Sequence, residues 1–184
     1  MTRLPPVPPA QAEGKAKDLL DAVQQAMGAT PNIFTAMANA PAALEGLLNL
    51  NGALSGGALN PQLREKLALV TAGQNGCDYC ASAHTYLGEK AGIEPNELAS
   101  NLKGQSIEAK DNAALLFASQ LIESRGRVTE SQVQTVRAAG FSDEEVIEIL
   151  AHVALNTFTN YFNEAFKIEN DFPAVSTAEA RKAA

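Results

Sequence analysis

Glu65-Lys-Leu-Ala-Leu-Val-Thr-Ala-Gly-Gln-Asn-Gly-Cys77-Asp-Tyr-Cys80-Ala-Ser-Ala-His84 holds both cysteines of the chain and one of its two histidines. Asn60-Pro61 just upstream reads as a helix start, with Asn able to cap and Pro pre-set at the first helical position. Gln74-Asn75-Gly76 breaks the pattern. A second helix opens at Cys77 or Asp78 and runs to Lys90 or Ala91, where Gly92 ends it. The stretch is therefore a helical hairpin.

Phase puts reactive groups on the facing sides. At about 100° per residue, Cys80, His84, Leu87 and Ala91 share one face of the second helix, and Glu65, Ala68, Leu69 and Ala72 share one face of the first. Glu65 and His84 lie at similar distances from the turn. With a rise of ~1.5 Å per residue, an antiparallel hairpin brings them to within about a turn of the same level. Glu65, His84 and Cys80 can thus form a proton relay.

Working outward, residues 1–10 are proline-rich and extended, and Gln11 to Met27 reads as a helix stopped by Gly28. Thr30-Pro31 and Asn39-Ala40-Pro41 each start another. Met27, Phe34 and Met37 can line a pocket above the hairpin, although such residues at helical spacing are commonly core. Beyond the hairpin, Glu94-Pro95 begins a short helix, and Ser106 is expected to cap a longer one that Gly126 closes. Thr129 caps Glu130 to Ala139, and Ser142-Asp143-Glu144-Glu145 has capping-box spacing.

No segment alternates apolar and polar residues over a useful length, so the fold class is all-α. Residues 1–173 are expected to form one domain, and 174–184 a mobile tail. In the last helix, about Asp143 to Lys167, His152, Asn156, Thr159 and Asn163 form a polar line on one face. Val146, Leu150, Val153, Phe158, Tyr161, Phe162 and Phe166 cover much of the rest. This line should meet another subunit, the active-site region or solvent.

Composition narrows the function. The 184 residues are 46% hydrophobic, with no apolar run near the ~20 residues a membrane helix needs. A net charge of −7 with dispersed acids disfavours nucleic acid or an anionic membrane as partner. The N-terminus lacks a secretory core, so a cytoplasmic location is expected. Two cysteines cannot make a disulfide framework, and in a reducing compartment Cys-x-x-Cys reads as a redox or metal pair.

Thiols attack as thiolates, and an unperturbed pKa near 8.5 leaves a small anionic fraction at neutral pH. The helix start and His84, one turn below Cys80, both favour the anion. Cys77 lies roughly 10 Å along the axis from His84, so Cys80 is the expected attacking thiolate and Cys77 the resolving thiol. A sulfenic acid at Cys80 would condense with Cys77 to a disulfide that an external dithiol reduces. Glu65 can pass a proton to His84 directly or through water. No organic cofactor and no metal is required.

Glu65, eleven residues and Cys77-x-x-Cys80-x-x-x-His84 together resemble the signature of the alkylhydroperoxidase-D-like part of the carboxymuconolactone decarboxylase superfamily. Asn75-Gly76-Cys77-Asp78-Tyr79-Cys80 and the Asn156 to Asn163 run strengthen the resemblance, which covers most of residues 30–173. It implies an alkylhydroperoxidase-D-like all-α fold, assembly as a homotrimer or homohexamer, and a thiol peroxidase acting on hydroperoxides. It also implies a relay at Glu65, His84, Cys80 and Cys77, with a lipoyl domain or a thioredoxin-like protein as reductant. Some relatives carry histidine where Tyr79 stands here, which removes one proton donor.

Rival readings are a protein disulfide oxidoreductase, a cofactor-free lactone decarboxylase, and a metal module using Cys77, Cys80, His84 and His152. A non-catalytic oligomeric scaffold is a further one. Haem attachment would need histidine where Ala81 stands.

Overall fold

A computed structural model describes residues 2–182. It has ten helices and no strand among the described residues: α1 (Gly14–Met27), α2 (Asn32–Met37), α3 (Pro41–Ser55), α4 (Pro61–Asn75), α5 (Asp78–Lys90), α6 (Pro95–Asn101), α7 (Ala109–Ser124), α8 (Glu130–Ala138), α9 (Asp143–Phe166) and α10 (Thr177–Lys182). The all-α class expected from the sequence is what the chain adopts. No helix among the described residues is long and apolar enough to cross a membrane.

The hairpin α4–α5 is central, and α4 also packs against α7 and α9. Nine residues of α4 are buried, from Leu63 and Lys66 to Gly73. At Gly73 a Cβ would lie 1.9 Å from the Leu102 carbonyl oxygen, so only glycine lets α4 meet the end of α6. Asn60 Oδ1 accepts from Leu63 N, and Gly76 ends α4 with φ +72°, a left-handed conformation suited to glycine.

The core divides at α4. One cluster joins Leu69 and Ala72 to Leu44, Met37, Leu98 and the Cys80 helix, and the other joins Leu63, Leu67 and Val70 to Leu115, Phe117, Val136 and Ile149. A buried ion cluster pins α4 to α6 and α7. Lys66 Nζ lies 2.9 Å from Glu97 and 2.8 Å from Asp111. Glu97 also accepts from Ser106 Oγ, Asn101 Nδ2 and the Ile107 backbone.

Two sequence expectations change here. The first helix begins at Gly14, because Pro9–Gln11 forms a single 3-10 turn. Ser106 does not cap α7, whose N-cap is Glu108; its hydroxyl is used on buried Glu97 instead. On α9, Ile147, Leu150, Phe158 and Tyr161 are exposed on the single chain.

The segment read as a mobile tail carries specific contacts at its start. Val175 N donates to Ser82 Oγ, and Thr177 N donates to Asp78 Oδ1 at 2.9 Å, so residues 175–177 sit on the first turns of α5. Just upstream, Asn170 Nδ2 donates to Ser82 Oγ, and Asp171 accepts from the Tyr79 hydroxyl.

Candidate active site

Gly76 reverses the chain so that Cys77 becomes the N-cap of α5, not a residue of its first turn. Its Sγ takes the place of a capping oxygen and accepts from the Cys80 backbone N–H at 3.4 Å. Cys80 then sits in the first turn proper. Both sulfurs are free thiols and buried, Cys77 being 0% exposed and Cys80 3%.

Across the hairpin, His84 Nδ1 donates to Glu65 Oε2 at 2.8 Å, with both side chains 22% exposed. This leaves Nε2 as the second ring nitrogen for the cavity. Burial pulls the imidazole pKa down, but the neighbouring Glu65 carboxylate, its hydrogen bond and the Cys80 charge outweigh that, so His84 is raised above its ordinary value.

The two cysteines are driven apart. A hydrogen bond from the Cys77 thiol lowers Cys80 most, burial opposes it, and the His84 charge with the Asn163 and Asn160 amides adds to the lowering, to about 6. Cys77 is pushed up by the same hydrogen bond and by burial. The first proton lost from the pair is thus that of Cys80, while Cys77 keeps its own.

The sequence left the polar line of α9 open between three surroundings; it faces the cysteines. Asn163 Nδ2 donates to Cys80 Sγ at 3.1 Å, and both residues are buried. His152, Asn156 and Thr159 line the same cavity as Cys80, His84 and Glu65. Asn160, outside the line, is fully buried and accepts from Asn75 Nδ2, which ties α9 to the hairpin turn. The i, i+3/i+4 spacing identified the line, but a sulfur partner 83 residues away is visible only in the fold.

The cavity has a volume of about 270 Å³. Apolar walls come from Ile33, Phe34, Leu47, Leu48, Leu87 and Leu155, with Met27 and Phe172 also lining it. Met37, the third residue suggested for a pocket, is instead buried core at 1% exposure. Arg64, which local sequence patterns do not single out, also lines the cavity.

Tyr79, between the two cysteines, is hydrogen-bonded to the segment that follows α9. Its hydroxyl donates to Asp171 Oδ2 at 2.7 Å, and burial and that carboxylate push its pKa up, so it holds its proton and fastens the 170–172 segment. The four ligands of the metal reading do not come together. Among the described residues, no group of three or more His, Cys, Asp or Glu side chains is placed to hold a metal ion.

Comparisons with known proteins agree with this geometry at the level of family and fold. Residues 41–123 match the model of the Carboxymuconolactone decarboxylase family, which bears out the resemblance carried by the hairpin motif. No curated protein matches the chain.

Among solved structures, the alkylhydroperoxidase AhpD core of an uncharacterized peroxidase-related protein from Ralstonia eutropha JMP134 superposes with a TM-score of 0.84 at 23% identity, over 92% of each chain. A peroxidase-related protein from Silicibacter sp. TM1040 gives 0.79 at 22% identity, over 91% of each chain. A cysteine-to-alanine variant of the debrominase Bmp8, in complex with 2,3,4-tribromopyrrole, gives 0.79 at 19% identity, over 100% of this chain and 97% of that one. These likenesses establish the alkylhydroperoxidase-D-like helical fold.

Proposed function

We propose that this chain, with its family match over residues 41–123 and its alkylhydroperoxidase-D-like fold, is a thiol peroxidase that cycles Cys77 and Cys80 between dithiol and disulfide. The observation that carries the reading is the pairing of a lowered Cys80 thiol with the Glu65–His84 hydrogen bond at one small, largely apolar cavity.

The Cys80 thiolate attacks the terminal oxygen of R–O–O–H, so an S–O bond forms as the O–O bond breaks. The leaving alkoxide takes a proton from the His84 imidazolium, whose charge Glu65 supports. The Cys77 sulfur then attacks the Cys80 sulfenic acid, and hydroxide leaves as water with the Cys77 proton. Two thiols and one hydroperoxide give one disulfide, one alcohol and one water. An external dithiol closes the cycle.

Burial favours a small substrate over a protein disulfide. With Cys77 at 0% and Cys80 at 3% exposure, a folded partner cannot bring its own sulfur to either without opening the site. The same argument favours a slender reductant, such as a dihydrolipoyl arm, over a thioredoxin-like protein. The apolar face of α9 at Ile147, Leu150, Phe158 and Tyr161 supports assembly with further copies of the chain.

The test is stopped-flow oxidation of pre-reduced protein by an organic hydroperoxide, with intact mass at each time point. The reading requires fast loss of two hydrogens in wild type, a sulfenic adduct in Cys77→Ser and no fast phase in Cys80→Ser. Thiols oxidised no faster than free cysteine would overturn it.

A further inference from the structure

The peroxide chemistry gives Glu65, His84 and the cysteines their tasks and leaves two polar groups of the same cavity without one. His152 is 4% exposed, lines the cavity, and its Nε2 is a buried ring nitrogen with no hydrogen-bond partner. An orphaned buried nitrogen is disfavoured unless something fills the position beside it. Burial, with the Arg64 charge adding to it, lowers the His152 pKa, so the ring is neutral near pH 7 and can present an N–H.

Arg64 is the second group. One nitrogen, Nη1, caps α3 by donating to the Leu54 and Ser55 carbonyls, yet the guanidinium forms no ion pair with any described residue. The nearby carboxylates are otherwise engaged. Glu65 is held by His84, and Glu148, on α9 one turn before His152, accepts from the Ala58 and Leu59 backbone. Asn51 and Ser55 also line the cavity.

The cavity therefore carries a cation that no carboxylate pairs, Arg64 beside His152, and separately the Cys80 thiolate beside Asn163, which the His84 charge supports. His152 and Asn163 are eleven residues apart on α9, roughly 16 Å of helix axis at ~1.5 Å per residue. Apolar residues such as Ile33, Phe34 and Leu155 line the same cavity, and the Glu65 and His84 charges also act on His152. The volume of about 270 Å³ falls below the roughly 300–1,000 Å³ of pockets for drug-sized ligands, which suits a medium-length chain.

We infer that the cavity recognises an organic acid, with Arg64 and His152 Nε2–H binding a carboxylate head so that an apolar chain delivers its reactive end to Cys80. This rests on Cys80 as the reacting thiolate, and it names the substrate class as a hydroperoxide of a medium-chain carboxylic acid. Arg64 and His152 are positioning residues that bind the head and take no part in O–O cleavage.

The experiment measures Cys80 alkylation by iodoacetamide, read by peptide mass on the full-length reduced protein, with octanoate or 1-octanol present. Octanoate should protect Cys80 at concentrations about tenfold or more below those of 1-octanol, the range expected for hydrogen bonds to a charged group. Arg64→Gln and His152→Ala should each bring the two ligands close to parity while 1-octanol protects as before. Equal protection by the two ligands in wild type, which requires no variant to fold, overturns the inference, as does an octanoate preference that survives both substitutions. No peroxide enters the assay, so slow peroxide oxidation with the octanoate preference intact would count against the proposed activity and leave the carboxylate site standing.

Discussion

Asn163 Nδ2 donates to Cys80 Sγ at 3.1 Å, which joins the last long helix to the redox hairpin at the sulfur assigned to attack. Because the thiolate accepts this bond better than the thiol, Asn163 is one of the groups that lower Cys80. Replacing it by Ala removes a charge-assisted bond worth ~1.5–3 kcal/mol, so the Cys80 pKa should rise by about one unit or more. The pH dependence of iodoacetamide alkylation measures this. An unshifted profile would show that the contact does not act on the thiolate.

Wild-type alkylation should rise with pH through about 6 and then flatten, instead of rising to the ordinary thiol range, whereas peroxide oxidation should rise likewise and then fall as His84 loses its proton at higher pH. Linkage fixes the sign of the stability effect. A folded-state pKa below the unfolded value of 9.0 gives Cys80 a stabilising term that is full above pH 9 and lost as pH falls through about 6. His84, raised from 6.5, acts oppositely: its term is full below 6.5 and fades as pH rises through the folded value. The stability difference between wild type and Cys80→Ser, from urea melts at several pH values, should therefore grow in favour of wild type between pH 6 and 9.

Glu65→Gln removes the charge that keeps His84 protonated while retaining a similar shape. Peroxide oxidation of Cys80 should fall by about 10²–10⁴-fold, the usual worth of a positioned proton donor. Alkylation by iodoacetamide, whose leaving iodide needs no proton, should fall much less. Parallel losses in the two assays would mean that Glu65 acts on the thiolate and not through the proton.

Lys66 is buried between Glu97 and Asp111, far from the thiols in role if not in sequence. Burial favours protonated Glu97, but hydrogen bonds from Ser106, Asn101, Lys66 and the Ile107 backbone outweigh it and hold the pKa at about 2. Lys66→Met should destabilise the fold by about 3–5 kcal/mol, the range for breaking a buried ion pair from one side. Thermal or urea unfolding measures this loss, and a change within error would mean that the cluster relaxes into water.

Ile147, Leu150, Phe158 and Tyr161 follow one another along α9 and are all exposed on the single chain, Tyr161 at 62%. Light scattering should find wild type oligomeric and the double variant Phe158→Glu/Tyr161→Lys smaller. A monomeric wild type would remove the proposed self-association.

The sequence by itself determined the helices, the turn and the reactive pair, because these depend on neighbours a few residues away. Asn60-Pro61, Gly76 and Ser142 to Glu145 place helix ends through local hydrogen bonds and backbone freedom, and the 3.6-residue repeat puts Glu65 and His84 on facing stripes. Even so, local rules misplaced the start of α1 and the cap of α7, where a buried carboxylate competed for Ser106. Tertiary structure alone decided what the α9 polar line serves, since Asn163 meets Cys80 across 83 residues of chain. It also decided that Tyr79 is tied to Asp171 and that Arg64 lines the cavity without an ion-pair partner among the described residues. Periodicity gives the direction of a side chain on its own helix; what lies opposite depends on how the helices pack, and that depends on the whole chain.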